Sequence, residues 1–195
     1  MDPDSAPARF EALRARLAIS LMRGLAHEIA NTVQMLSLDP PPPGALAAAR
    51  ERLGESTEVI ATIARASDPE AGPSLLPDVL KEVVRWMSLQ AGLSEARLEH
   101  ELAPALPALA LGQADARSIL LAVITDAREH GTRRFRLRAE QADGRIRCDL
   151  VHGGAPPPSA ASIEFAVSRG VDVRVVSGTH IELSFAAATR VTGSA

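Results

Sequence analysis

Apolar residues at Phe10, Leu13, Leu17, Leu21, Leu25, Ile29 and Leu36 fall at helical spacing and form one stripe when the chain is read at about 100° per residue. The spacing predicts a long amphipathic helix from Pro7, a residue suited to a first helical position, to Leu38. Asp39-Pro40-Pro41-Pro42-Pro43-Gly44 stops it, because proline removes donors and fixes φ while glycine permits a reversal. A second helix is expected over Ala45–Ala66, with apolar Leu46, Leu53, Ile60 and Ile63 and with Ala49, Thr57 and Val59 beside them. Two such helices form a hairpin that leaves part of the long stripe uncovered. Pairing two hairpins into a four-helix bundle buries it, so a homodimer is expected; an intramolecular bundle with later helices is the alternative.

Ser67-Asp68-Pro69-Glu70-Ala71-Gly72-Pro73 reads as a linker, after which the pattern turns to mixed α and β. Helices are expected over Pro77–Gly92, Asp115–His130 and Ser159–Arg169, the second ended by Gly131. Ala96–Ala103 alternates like a strand, and Leu106–Leu111 reads as a strand end or loop. Arg134–Glu140 and Arg145–Val151 alternate about Ala142-Asp143-Gly144 as a hairpin, and Val171–Val176 with His180–Phe185 forms another across Ser177-Gly178. The fold class is therefore α+β: a helical hairpin over 7–66 forming a dimeric four-helix bundle, then an α/β-sandwich domain over 74–190. Its sheet is mostly antiparallel, with helices on one face.

On the first helix Arg16, Ser20, Arg23, His27, Asn31 and Gln34 share an arc of about 80° away from the apolar stripe. A histidine in such a solvent-facing row is available to a partner. A neutral imidazole attacks phosphorus only if one ring nitrogen is free and the other keeps its proton. Glu28, accepting from Nδ1–H, would fix that tautomer and leave Nε2 as nucleophile. Asn31, one turn on, would place a water or a phosphoryl oxygen. An exposed His, Glu and Asn on a helix is also what a plain solvated face contains.

The segment GLAHEIAN, with His27, Glu28 and Asn31, resembles the H-box of sensor histidine kinases, with Thr32-Val33 where that family usually carries a proline. The order of elements after the linker is similar to the ATP-binding domain of those kinases. LLAVITDAREHG resembles the N-box helix, with Asp126 where the family places a magnesium-holding asparagine. The adenine-reading D-x-G-x-G motif has no aspartate in its place, Val151-His152-Gly153-Gly154-Ala155-Pro156-Pro157-Pro158, and no glycine-rich lid lies between Pro158 and Arg169. A site missing its polar contact loses discrimination steeply. The resemblance implies a histidine phosphotransferase whose ATPase-like domain is degenerate. His27, Glu28 and Asn31 would carry the chemistry, Arg16, Ser20, Arg23 and Gln34 would meet the partner, and response-regulator receiver domains would be donor and acceptor. No cofactor of its own is expected, and Mg²⁺ would come from the receiver. The alternatives are a diverged but active kinase and a non-catalytic scaffold.

Composition sets outer bounds. The chain has 195 residues, 46% of them hydrophobic and 23% charged, enough for a real core. No apolar run reaches the length of a membrane span, and the acidic start MDPDSAPARF, read as frayed over residues 1–6, lacks a signal core, so no membrane insertion and a cytoplasmic protein are expected. A net charge of −3, with no Tyr and one Trp, argues against a nucleic-acid surface. The single cysteine, Cys148, excludes an internal disulfide. Asp126, Glu129, His130 and His152 match no metal-ligand spacing. His100 and His180 read as surface or packing residues, Trp86 and Met87 as core, and Ser159 as a helix cap.

Overall fold

The computed structural model describes residues 6–65, 72–90, 95–153 and 158–188. Two long helices come first, α1 (Ala6–Leu36) and α2 (Ala45–Arg65). They are followed by α3 (Leu76–Leu89), β1 (Arg97–Leu102), α4 (Gln113–Glu129), β2 (Arg134–Ala142), β3 (Arg145–His152), α5 (Ala160–Ser168), β4 (Asp172–Ser177) and β5 (His180–Ala186). The expected element order holds, and the chain is α+β. The first helix ends at Leu36 rather than Leu38, where Ser37 closes the last turn through N–H and Oγ–H bonds to the Val33 carbonyl. Gly44 makes the reversal at φ 77°. The expected linker falls largely on residues 66–71 and the expected frayed start, 1–6, largely on residues 1–5, both stretches outside the described residues, while Ala6 already opens α1.

The five strands form one sheet in the order β1-β2-β3-β5-β4, with β1 parallel to β2 and the other pairs antiparallel. Asp143 and Gly144 both take positive φ between β2 and β3, as a two-residue hairpin of this hand requires. Leu109, in the segment left between strand end and loop, bridges Ser74 on one side and Ala187 on the other, so it ties the entry of α3 to the end of β5. One face of the sheet, with Phe135, Leu137, Ile146, Cys148, Leu150, Ile181, Leu183 and Phe185, packs under the helices. The other face is charged and open, with Arg136 beside Glu99, and Arg147 beside Glu140 and Asp149. Burial pushes the Cys148 thiol up to about 12, so it is an inert packing group.

The middle of helix α4, 119–124, is apolar and buried all round, with neighbours on several sides, α3, α5 and α1 among them. Leu17, Leu21 and Leu25 of α1 and Val59 of α2 belong to the same hydrophobic cluster as the sheet residues. The hairpin and the sheet region thus share one core. Two fastenings explain how. Gly24 meets the end of α3 so closely that a Cβ there would fall 1.4 Å from the Leu89 carbonyl oxygen. Arg85 of α3 donates to the Glu58 carboxylate and the Glu55 carbonyl of α2, each at 2.6 Å.

The seam inside the hairpin differs from the sequence expectation. Ala45, Ala49, Ser56 and Val59 are the buried face of α2, while Leu46 is 76% exposed and Leu53 and Ile60 also face outward. Small side chains let two helices approach closely, and that approach, rather than side-chain size, selects the inner face. On α1 the stripe holds at Leu17, Leu21 and Leu25, is half-buried at Ile29 and is open at Leu36. The side chains of Phe10, Leu13 and Ile63 lie outside the described residues.

Candidate functional site

Helix α1 carries three faces, and each does something different. Leu17, Leu21, Leu25 and Thr32 turn inward. Ile19, Met22 and Val33, more than half exposed, and Leu36, at spacings of three, eleven and three residues, fall on a second apolar face left without cover among the described residues. Between these two faces runs the polar row, with Arg23, His27 and Gln34 exposed and Ser20 and Asn31 half-buried. The side chain of Arg16 lies outside the described residues. The row therefore comes together on one rigid helix that passes unbroken through Thr32-Val33 to Leu36.

His27 stands in the open, and among the described residues neither ring nitrogen has a hydrogen-bond partner. An imidazole so placed offers a lone pair to an incoming molecule without first giving up a protein contact. Glu28 points elsewhere. Neighbouring helical residues diverge by about 100°, which turns Glu28 toward α2, where its Oε1 lies 3.6 Å from Nε of Arg52. Thr32, fully buried, donates from Oγ1 to the Glu28 carbonyl at 2.8 Å. Arg52 is a residue of the site that the sequence reading did not single out. The signal was available: Glu28 and Arg52 lie equally far from Pro40 along the chain, so a hairpin turning there brings them level.

A second cluster occupies the corner where α4 meets α5. Asp126 Oδ2 accepts from Ser159 N–H at 2.9 Å, Ser159 Oγ at 2.8 Å and Ser162 Oγ at 2.5 Å. Ser159 is the N-cap of α5, its Oγ accepting from Ser162 N–H at 3.3 Å, as the sequence suggested. A carboxylate at a helix N-terminus also meets the positive end of the helix dipole. The Asp126 side chain is thus engaged through Oδ2 in holding α5. Helix α5 leads through Gly170 directly into β4.

His152 ends β3 beside that corner in the chain, opposite Phe135 in register. It is buried, neither of its ring nitrogens has a partner among the described residues, and burial pushes its pKa below the ordinary imidazole range. Residues 154–157, in the stretch read as lacking the adenine-reading aspartate, lie outside the described residues. The other histidines are accounted for by place: His100 and His130 are exposed, and His180 Nε2 lies 2.8 Å from Asp149 Oδ1. Among the described residues no three His, Cys, Asp or Glu side chains converge as a metal site would need. Trp86 and Met87 are buried, and the Arg117 guanidinium lies 3.9 Å above the Trp86 ring while paired with Glu82. No described helix is long and apolar enough to cross a membrane.

No family model matches the chain, and no curated protein matches it. Solved structures similar to it include the histidine kinase AdeS of Acinetobacter baumannii, at 10% identity and a TM-score of 0.48, over 86% of this chain and 98% of that one. Full-length ShkA in complex with AMPPNP is similar at 21% identity and a TM-score of 0.45, over 97% of this chain and 47% of that one. A bacterial phosphotransferase is similar at 17% identity and a TM-score of 0.43, over 88% of this chain and 96% of that one.

Proposed function

We propose that this protein is a histidine phosphotransferase that passes a phosphoryl group between the aspartates of response-regulator receiver domains through His27, without using ATP. One observation carries the reading: the imidazole of His27, exposed and without a partner among the described residues, stands in a polar row on a single helix. The engagement of Asp126 with Ser159 and Ser162 supports the ATP-independent half.

In the forward step Nε2 of His27 attacks the phosphorus of a receiver's acyl phosphate. The N–P bond forms as the bond from phosphorus to the aspartate oxygen breaks, and the carboxylate leaves with the electron pair. The Nδ1 proton stays on the ring, which gains positive charge, and the reverse step delivers the group to a second receiver. Such transfer needs position and charge more than covalent strategy. Asn31 lies one turn from His27 and would place a phosphoryl oxygen or a water. Arg23 would meet phosphoryl oxygens or the acidic pocket of the receiver, and Ser20, Gln34 and Arg16 would extend the docking row. Mg²⁺ would be the receiver's own.

A homodimer completes the reading. The outward strips Ile19, Met22, Val33 and Leu36 on α1 and Leu46, Leu53 and Ile60 on α2 are apolar and exposed on one chain, and packing two hairpins together would cover both. Incubation with a panel of radiolabelled phospho-receivers tests the transfer. The expected result is acid-labile, base-stable label on this protein, lost in His27→Ala. Label retained by that variant would contradict the reading.

A further inference from the structure

Gly24 stands where two faces of α1 meet. On the helix wheel Leu17 and Leu21 of the buried stripe fall within about 60° on one side of it, and Ser20, His27 and Asn31 of the polar row fall within about 60° on the other. The end of α3 abuts α1 along this line. A Cβ on Gly24 would come within 1.4 Å of the Leu89 carbonyl oxygen and 2.6 Å of its carbon, so only a glycine admits the α3 backbone here. Neither helix has room to retreat. Leu21 and Leu25 of α1 and Leu80, Val83 and Met87 of α3 are buried in the common core, and Arg85 ties α3 to the Glu58 carboxylate and the Glu55 carbonyl of α2. A helix held by its apolar face could still turn about its own axis, and a backbone contact at the border of that face stops the turn.

The geometry points to Gly24 as a positioning residue for His27: by seating the end of α3 against α1, it fixes how far that helix is turned and hence where the polar row faces. Helix α1 is unbroken from Ala6 to Leu36, so a turn forced at Gly24 is carried to His27, less than one helical turn away. A turn of about 30° at the roughly 5 Å radius of a helix with its side chains displaces the row by about 3 Å. Transfer between docked proteins is sensitive to such a displacement, because reacting atoms must stand about 3–3.5 Å apart with their orbitals aligned. The use of this seat in phosphoryl transfer rests on the function proposed above; the orientation it sets does not.

Two readouts in the full-length protein separate orientation from activity. Pulsed electron paramagnetic resonance measures distances from a spin label on His27→Cys to a second on Lys81→Cys of α3 or Arg138→Cys of the open sheet face, while buried Cys148 stays unlabelled. In folded Gly24→Ala at least one of the two distances should shift by about 3 Å. With His27 in place, transfer from a cognate phospho-receiver should fall about ten- to a hundredfold in Gly24→Ala. Labelling by potassium phosphoramidate, a small donor that needs no docking, should keep its wild-type rate. Asp126→Ala, which weakens the fold at the α4–α5 corner and leaves this seam intact, should change neither readout. Unchanged distances in folded Gly24→Ala would overturn the proposal, and so would receiver transfer at the wild-type rate or an equal fall with both donors. Where Gly24→Ala does not fold, Arg85→Ala takes its place: freeing α3 from α2 should broaden both distance distributions, and distributions as narrow as wild type would overturn the proposal. If no receiver labels the wild-type protein, the function above fails and the distances alone decide.

Discussion

The turn around His27 and the corner around Asp126 make opposite use of polar side chains. At the first, an imidazole stands in solvent without a partner among the described residues, and its neighbour Glu28 is held only by a long ion pair. At the second, one carboxylate oxygen accepts three hydrogen bonds. Polar groups kept free on a rigid scaffold are available for chemistry, whereas groups satisfied by one another hold the fold. Under the proposed function, the difference puts the chemistry on the helical hairpin and gives the sheet region a supporting role.

The comparison breaks most visibly at His27. His27→Ala should reduce transfer from a cognate phospho-receiver to background while leaving stability within about 0.5 kcal/mol, as for other exposed positions; radiolabel counting and chemical denaturation check the two halves. At Gly24 the effect should fall on the fold. A Cβ there meets the Leu89 carbonyl backbone, which cannot swing aside like a flexible side chain, so Gly24→Ala should destabilise by about 1–3 kcal/mol in urea denaturation. A variant as stable as wild type would show that the end of α3 does not need that approach.

Asp126→Ala should destabilise by about 1–2 kcal/mol by removing the acceptor that anchors Ser159 and Ser162 at the start of α5, with receiver transfer unchanged in rate. Loss of transfer at constant stability would move the chemistry toward that corner. The smallest effect concerns His152. Its folded pKa is lowered, so below the ordinary imidazole value of about 6.5 the unfolded chain binds more protons than the native one. Stability should be level above that value and should fall as pH drops through it toward the folded pKa. Replacing His152 with Leu should flatten this limb of a stability–pH curve; an unaltered slope would remove His152 as its source.

Much of this was legible where local chemistry decides structure. Proline and glycine after Asp39 turn the helical hairpin, Asp143-Gly144 dictates the two-residue turn between β2 and β3, Gly131 takes φ 92° at the end of α4, and Ser159 caps α5. The polar row of α1 follows from helical period alone. What escaped the sequence depends on distant neighbours. The inner face of α2 is set by close helix approach, which favours Ala45, Ala49 and Ser56 over the larger Leu46, Leu53 and Ile60. Parallel pairing of β1 with β2 joins strands separated by α4 and leaves no local mark. Arg117, which no local pattern singles out, is buried against Glu82 and Trp86. Glu28 reads as a partner for His27 by adjacency, yet one residue along a helix turns it toward Arg52.

The division of labour between the two regions is tested most directly by phosphorus NMR of the purified protein after separate incubations with a phosphorylated receiver and with ATP–Mg²⁺. The account predicts an N-phosphoimidazole signal, absent in His27→Ala, from the receiver alone, and no signal from ATP. The same signal arising from ATP–Mg²⁺ would place a working nucleotide site beside Asp126 and contradict the account.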